Sequence, residues 1–542
     1  MANEPFDVIV IGGGHNGLVA AGLLAKRGAR VMVLERREIV GGAAITEQPW
    51  GPDFKMTALS YVVSLMPPTI QRELQLERHG YRILPQGPYF APHPDGRALQ
   101  LPDDPRARHA AISLFSRRDA DAYERWEAWL GGLAEVLAPL LTETPPKLGS
   151  HTAADVLAQG RFGWTARHWD QRAVADITRL FTMSIADLVE EEFESDAMRG
   201  VLSVSGVIGT WAGPRSAGTA YVMAHHKIGD VGDGQLGAWG FPQGGMGAVT
   251  QALRDAAESF GARVRTDTGV AKILVRDGAV TGVVTESGEE VLAGTIVAAT
   301  HPQITFLHQL DPAELPDDFL ADIRRWKTRS GTVKINLALD RLPEFRAAPG
   351  FNPAIHGGTI VLAPSLDHVE HAFQDAVSGH AATAPFADIC IPSVFDHTLA
   401  PEGKHVMSMF TQWVPSAWSE EPHRDELNDY GRRVIEQMEV VAPGFTDSIL
   451  HSQIIGPYDM EHTYGLIGGN IFHGELSPSQ LFHMRPAPGY ADYRTPIRGL
   501  YQASSATHGG GGVTGIPGLN VVEAIARDRR SERLRRTVSR RR

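Results

Sequence analysis

The feature that most constrains this chain lies at its beginning, in Val8-Ile9-Val10-Ile11-Gly12-Gly13-Gly14-His15-Asn16-Gly17. The pattern predicts a buried parallel strand over Val8–Ile11, a helix over Leu18–Arg27 and a second strand over Arg30–Leu34 that ends in Glu35. Gly12, Gly14 and Gly17 fit G-x-G-x-x-G. The first makes the tight turn, the second lets the backbone approach a pyrophosphate, and the third packs helix on strand. The helix start then offers free N–H groups and a partial positive charge to phosphates. Glu35, at the end of the second strand, is placed to accept both hydroxyls of a ribose. Strand, turn, helix, strand and acid together predict a bound dinucleotide.

The rest of the chain must be arranged around that unit. At 542 residues it exceeds the ~250–300 at which single cores stop growing, so two interleaved domains are expected. From about Asp103 to Gly206 the pattern is helical, with Tyr123, Trp126, Trp129, Leu130, Leu133 and Val136 at spacings of three and four. Gly244-Gly245-Met246-Gly247 leads into a helix over Ala248–Phe260, but no hydrophobic strand is read before it, so it is not taken as a second nucleotide site. Strands are expected over Ala262–Arg265, Gly269–Arg276, Ala279–Thr285, Glu290–Ala299 and Thr332–Leu339. Near the end, a strand over Gly499–Ala503 runs into the glycine-rich loop Ser504–Gly518 and a helix over Leu519–Arg530. Two glycine-rich strand-to-helix turns at opposite ends suit FAD, which is long enough to use both. The expected fold class is α/β with an α+β insertion. A Rossmann FAD-binding domain (1–66, 236–305, 490–527) is interleaved with a substrate domain (67–235, 306–489), and 528–542 form a basic tail.

Composition narrows the chemistry. Cys390 is the single cysteine, which excludes a disulfide framework, a redox CxxC pair and a thiolate metal cluster within one chain. The net charge of −12 argues against nucleic acid as a partner. No apolar stretch approaches the ~18–20 residues of a membrane span, and a strand begins at Phe6, so a cytoplasmic protein is expected. Arg527–Arg542 holds nine arginines against Asp528 and Glu532, a local +7. It reads as a solvated helix end, with contact to an anionic membrane surface as the alternative.

The segments Gly12–Gly17, Val33–Gly42, Gly468–Glu475 and Thr507–Gly518 together resemble the phytoene desaturase and carotene isomerase superfamily of FAD oxidoreductases. Within it, the nearest branch is the one named pyridine nucleotide-disulfide oxidoreductase domain-containing protein 2. The resemblance runs from about residue 5 to 527. It implies a glutathione-reductase-like fold, non-covalent FAD, and redox or isomerisation chemistry on a largely apolar small molecule. It also implies cofactor contacts at Gly12, Gly14, His15, Asn16, Gly17, Glu35, Arg36, Arg37, Gly41, Gly42, Ala43, Val270, Ser505, Gly512, Val513 and Thr514. Two departures stand out. Ser504, Ser505 and Ala506 replace a glycine-rich triplet, where any residue needing positive φ would be strained, and Ala43 replaces an arginine of the more distant flavin amine oxidases.

Three residues are candidates for the chemistry. Lys334 interrupts the apolar strand Thr332–Leu339, resembles a flavin-proximal lysine of amine oxidases, and must find a partner or lower its pKa; an edge-strand role is the alternative. His508 lies in the glycine loop and could donate to flavin or substrate, or brace the loop. Tyr61 is placed at the flavin face. His473, Glu475 and His483 match no strong ligand spacing, so no metal is expected. The readings that remain are an FAD desaturase or isomerase of apolar molecules, a flavin amine oxidase, and a non-catalytic flavoprotein.

Overall fold

The structure is a computed structural model describing residues 6–230 and 236–539. A five-stranded sheet, parallel throughout, runs in the order Leu500–Gln502, Ile296–Ala298, Val8–Ile11, Val31–Leu34, Arg263–Arg265. Alternation along its strands sets the layers. Val8, Val10, Val31 and Val33 pack under the helices His15–Lys26, Met246–Ser259 and Ile516–Ser539. Ile9, Ile11, Met32 and Leu34 face the antiparallel strands Val270–Arg276, Ala279–Thr285 and Glu290–Leu292. The strand expected over Glu290–Ala299 is thus two strands in two sheets, divided at Ala293-Gly294-Thr295.

A second, seven-stranded sheet carries the other half of the molecule. Its order is Ile449–Ile455, Thr332–Leu339, His405–Gln412, Phe386–Cys390, Thr359–Leu362, Tyr89–Pro92, Ala98–Leu101. Thr332–Leu339 lies between two partners and is buried along its whole length, so Lys334 is not an edge lysine. Val333, Ile335 and Leu337 enter a large core shared with the helical insertion.

The insertion begins its helices on side-chain caps. Asp104, Ser116, Thr152, Asp170, Ser184 and Ser195 each accept a backbone N–H from the first turn of the helix that follows. Tyr123, Trp126, Leu130 and Leu133 are buried on Arg117–Thr142, as their spacing predicts.

Three further differences from the sequence reading concern the joins. Gly240–Pro242 is a short strand before the Gly244 turn, but it pairs antiparallel with Ile83–Pro85, outside the parallel sheet. Ile70, Leu74 and Leu76 pack with the parallel sheet, and Phe306, Phe319 and Ile323 with its other face, beyond the expected breaks at 66/67 and 305/306. The last helix runs from Ile516 to Ser539, so much of the basic segment continues it. Asp528 ties that helix to the body through Arg494 at 2.7 Å and Tyr501 at 2.9 Å; Arg540–Arg542 lie outside the described residues. Among the described residues no helix is long and apolar enough to cross a membrane.

Candidate active site

The Gly12–Gly17 turn, the Ser505–Val513 loop and one face of the seven-stranded sheet line a single cavity of about 750 Å³. Its first wall follows from local sequence. Gly14 caps the helix His15–Lys26 without a side-chain acceptor, and the first turn holds no acid, so its free N–H groups are left for an anion. Gly17 has no room for a side chain, because a Cβ there would lie 2.2 Å from the Gly12 carbonyl oxygen. Gly518, in the first turn of the last helix, comes as close to the Asn16 carbonyl oxygen, where a Cβ would lie at 2.3 Å. The starts of the two helices therefore meet.

Glu35 is buried and already engaged. Oε2 accepts from the Gly13 N–H at 2.7 Å and Oε1 from the Arg37 N–H at 2.9 Å, so the carboxylate shapes the glycine turn. Arg37 reaches the Glu47 carboxylate at 3.3 Å and lies over the Tyr464 ring. Asn16 Nδ2 donates to Ser505 Oγ at 3.1 Å, joining the two glycine-rich turns. His15 Nε2, Asn16 Oδ1 and His473 Nδ1 are buried without a hydrogen-bond partner among the described residues, and all three residues line the cavity. Burial holds the His15 imidazole down at about 4, so it is neutral at physiological pH. A neutral imidazole, an amide oxygen, free helix N–H groups and a carboxylate are the donors and acceptors a flavin dinucleotide requires. These residues fit FAD.

Every residue expected at the cofactor lines this cavity except Thr514. Thr514 Oγ1 instead donates to the Gly509 carbonyl at 2.7 Å and accepts from the Ile516 N–H, bracing the loop from within. His508 is also not in the lining. Its Nε2 meets the Leu140 carbonyl at 2.9 Å, in the last turn of Arg117–Thr142, where carbonyls lack helical partners. His508 is a brace between helix end and loop, the second of the two roles read for it, rather than a contact with flavin or substrate. The strain anticipated at Ser504–Ala506 falls elsewhere: Val513, which lines the cavity, adopts φ +61°, an unfavourable conformation for a β-branched residue.

Lys334 and Tyr61 do meet. In the seven-stranded sheet Lys334 lies opposite Phe410, and Phe410 opposite Asp388, so the three share one face, and all three line the cavity. Lys334 Nζ lies 5.3 Å from the Tyr61 ring centre and donates to Asn336 Oδ1 at 2.6 Å and to Ser408 Oγ. Burial pulls the Lys334 ammonium down to about 7. Tyr61 donates its hydroxyl to Asp388 Oδ1 at 3.0 Å. Burial pushes the Asp388 carboxyl up to about 6, opposed by that hydrogen bond, and pushes the Tyr61 phenol up as well. Leu65, Ile208, Trp239, Phe410, Ile471 and Phe472 give the same cavity its apolar lining.

Sequence reasoning missed Asp388 and Arg485. Asp388 interrupts the apolar strand Phe386–Cys390 as Lys334 interrupts its own, and that signal could have found it. Arg485 is 2 % exposed and donates to the carbonyls of Phe472, Ser505 and Thr507, clamping one cavity wall to the glycine loop. Nothing in its local sequence marks this. Glu475 is taken up by Arg329, which reaches both its oxygens at 2.7 and 3.1 Å.

Comparison with known proteins places these observations. Residues 10–74 match an NAD(P)-binding Rossmann-like domain, and residues 72–518 match the family of flavin-containing amine oxidoreductases. The chain is 38 % identical to the rat (Rattus norvegicus) pyridine nucleotide-disulfide oxidoreductase domain-containing protein 2, over 96 % of this chain and 94 % of that one. It is 26 % identical to a limonene dehydrogenase subunit from Castellaniella defragrans, again over 96 % and 94 %. Among solved structures, putrescine oxidase bound to putrescine superposes with a TM-score of 0.61 at 16 % identity, covering 97 % of this chain and 99 % of the other.

Proposed function

Because the chain belongs to the flavin-containing amine oxidoreductase family and is an FAD-dependent oxidoreductase, we propose that it acts on a largely apolar, isoprenoid or lipid-like molecule. The reaction proposed is hydride transfer to or from the flavin ring, or flavin-assisted isomerisation. The observation that carries this reading is continuity: the FAD cradle and the apolar surface of Leu65, Ile208, Trp239, Ile471 and Phe472 line one cavity. The name of the limonene dehydrogenase relative, which matches along nearly the whole chain, agrees with a hydrocarbon substrate.

Bound FAD would supply a ring that reversibly accepts a hydride. Glu35, Asn16, Ser505 and the N-terminus of His15–Lys26 would hold the dinucleotide. The start of the last helix, near Gly515–Gly518, would set a positive dipole end toward charge gathered on the ring. Apolar side chains exclude water and so strengthen that field. Lys334 and Asp388, both buried at the sheet face, can hold or release a proton near neutral pH.

Residues 527–535 project a run of arginines, and the helix Ala153–Ala166 buries none of its described side chains while exposing Val156, Leu157 and Trp164. We propose peripheral contact with an anionic membrane, from which an apolar substrate would be collected. Anaerobic mixing of the purified holoprotein with a panel of terpenes and polyenes, and separately with amines, tests the function by flavin bleaching. Bleaching by terpenes or polyenes supports the proposal. Bleaching by amines alone would replace it with an amine oxidase, the reading that Lys334 favours.

A further inference from the structure

We propose that the Tyr61–Asp388 pair on the cavity floor is an anchoring site for a hydroxyl group carried by an otherwise apolar substrate. The inference deepens the reading above and rests on it, since it takes the body of the substrate to be apolar. It begins with a mismatch between the walls and the floor of the cavity. A pure hydrocarbon would be best served by an apolar surface throughout. Here the sheet face beneath the apolar walls presents Thr332, Lys334, Asp388 and Thr359 to the same space. Covering such groups with hydrocarbon would strip them of water and give nothing back, which is costly for any polar group and more so for a charged one.

The hydrogen bonds on the floor leave room for one more partner. Tyr61 donates to Asp388 Oδ1 at 3.0 Å, which fixes the carboxylate in place. Among the described residues, no protein group donates to the other oxygen, Oδ2. Lys334 gives two hydrogen bonds, to Asn336 and Ser408, and retains a third position. A phenol committed as donor still has its oxygen lone pairs free. The floor therefore offers a strong acceptor at Asp388 and weaker acceptor capacity at Tyr61, beside a lysine that can donate.

Charge then selects among ligands. An ammonium group at Asp388 would share the sheet face with Lys334, and a carboxylate at Lys334 would share it with Asp388. A hydroxyl carries no charge, gives its one proton to Asp388 Oδ2 and keeps its oxygen lone pairs free to accept, so it binds there at no electrostatic cost. Burial acts in the same direction, because it raises the Asp388 carboxyl and lowers the Lys334 ammonium, weakening the hold of each on its charge. A site built to hydrogen-bond a hydroxyl discriminates strongly against the analogue lacking it, because its own buried groups are left unpaired.

Four probes with one alkyl chain test this on the holoprotein: 1-octanol, octane, octylamine and octanoate. Each is titrated while the perturbation of the flavin absorbance is followed, in the parent and in Asp388→Leu and Tyr61→Phe. Octanol is expected to bind at least about tenfold more tightly than the other three in the parent. Its advantage over octane should vanish in Asp388→Leu and shrink in Tyr61→Phe. Should Asp388→Leu fail to fold, the ranking in the parent and the Tyr61→Phe result decide the matter. Equal binding of octane and octanol overturns the anchor and leaves the apolar reading standing. Tightest binding by octylamine or octanoate overturns the anchor in favour of a charged ligand, and no perturbation by any probe overturns both readings.

Discussion

Replacing Glu35 by alanine separates two jobs that one carboxylate performs. In the protein itself Glu35 accepts from the Gly13 N–H at 2.7 Å and the Arg37 N–H at 2.9 Å, and the residue is 8 % exposed. A buried donor left without its acceptor costs about 1–3 kcal/mol. Loss of the Gly13 bond should therefore lower the stability of the protein by that order even when no cofactor is present. The second job, accepting the ribose hydroxyls of FAD, exists only in the holoprotein. Its loss adds another ~1–3 kcal/mol, which weakens the FAD dissociation constant by about 5- to 150-fold, since each 1.4 kcal/mol is a factor of ten. The cofactor-free parent and variant would be compared by thermal melting and then titrated with FAD, following quenching of flavin fluorescence. The expected outcome is a lower melting temperature without FAD and a weaker dissociation constant together. If the melting temperature falls while FAD affinity stays at the parent value, Glu35 only props the glycine turn. The ribose acceptor would then lie elsewhere, and the reasoning from strand end to ribose would be refuted for this chain.

The remaining predictions are shorter. Gly17→Ala should abolish stable FAD retention, because its Cβ would sit 2.2 Å from the Gly12 oxygen and force the turn open; a yellow, stoichiometrically loaded variant would contradict this. Lys334 has its pKa lowered from 10.5 to about 7 by burial, so between those values the unfolded chain binds more protons and stability rises with pH. Lys334→Met lacks that rise: its stability relative to the parent should be greatest below pH 7 and decline toward pH 10, as read from urea midpoints across the range. Acid precipitation should release all flavin into the supernatant, since the single cysteine, Cys390, is fully buried and does not line the cavity; flavin retained in the pellet would show a covalent link. Deleting Ser531–Arg542 should reduce sedimentation with anionic liposomes at low salt and leave FAD content unchanged. Equal sedimentation would make the arginines a solvated helix end only.

The nucleotide-binding half was legible in sequence because its signals are local. Val8–Ile11, the glycine spacing and Glu35 lie within one short stretch, and each element is set by its own residues. Thr332–Leu339 was legible for the same reason, and the lysine inside it pointed to the cavity. What escaped depends on register and long-range contact. Asp388 faces Lys334 only because two strands pair through Phe410, and strand pairing is not written in either strand alone. His508 stayed open between two roles because its neighbour is the end of a helix that finishes near residue 142, and no local pattern records which orphan carbonyl a loop histidine will satisfy. Thr514 was a cofactor contact only by family resemblance, whereas its hydroxyl closes the loop on itself. Val513 carries positive φ among glycines that would adopt it freely, so composition pointed away from it.

The order of the parallel sheet has a consequence for how the protein is made. Its central strand, Val8–Ile11, is synthesised long before Leu500–Gln502, the strand that completes the sheet. The bond from Asn16 to Ser505 spans 489 positions. At roughly 5–20 residues per second, translating that interval takes about half a minute to a minute and a half, and throughout it the first glycine turn lacks its opposite wall. FAD therefore cannot be captured by a nascent chain in its final setting. Loading in that setting waits for Ser505, and until then the apolar strands of the unfinished sheet are exposed to aggregation. FAD, which needs both glycine turns, would accordingly stabilise the completed fold and give the partly made chain no protection.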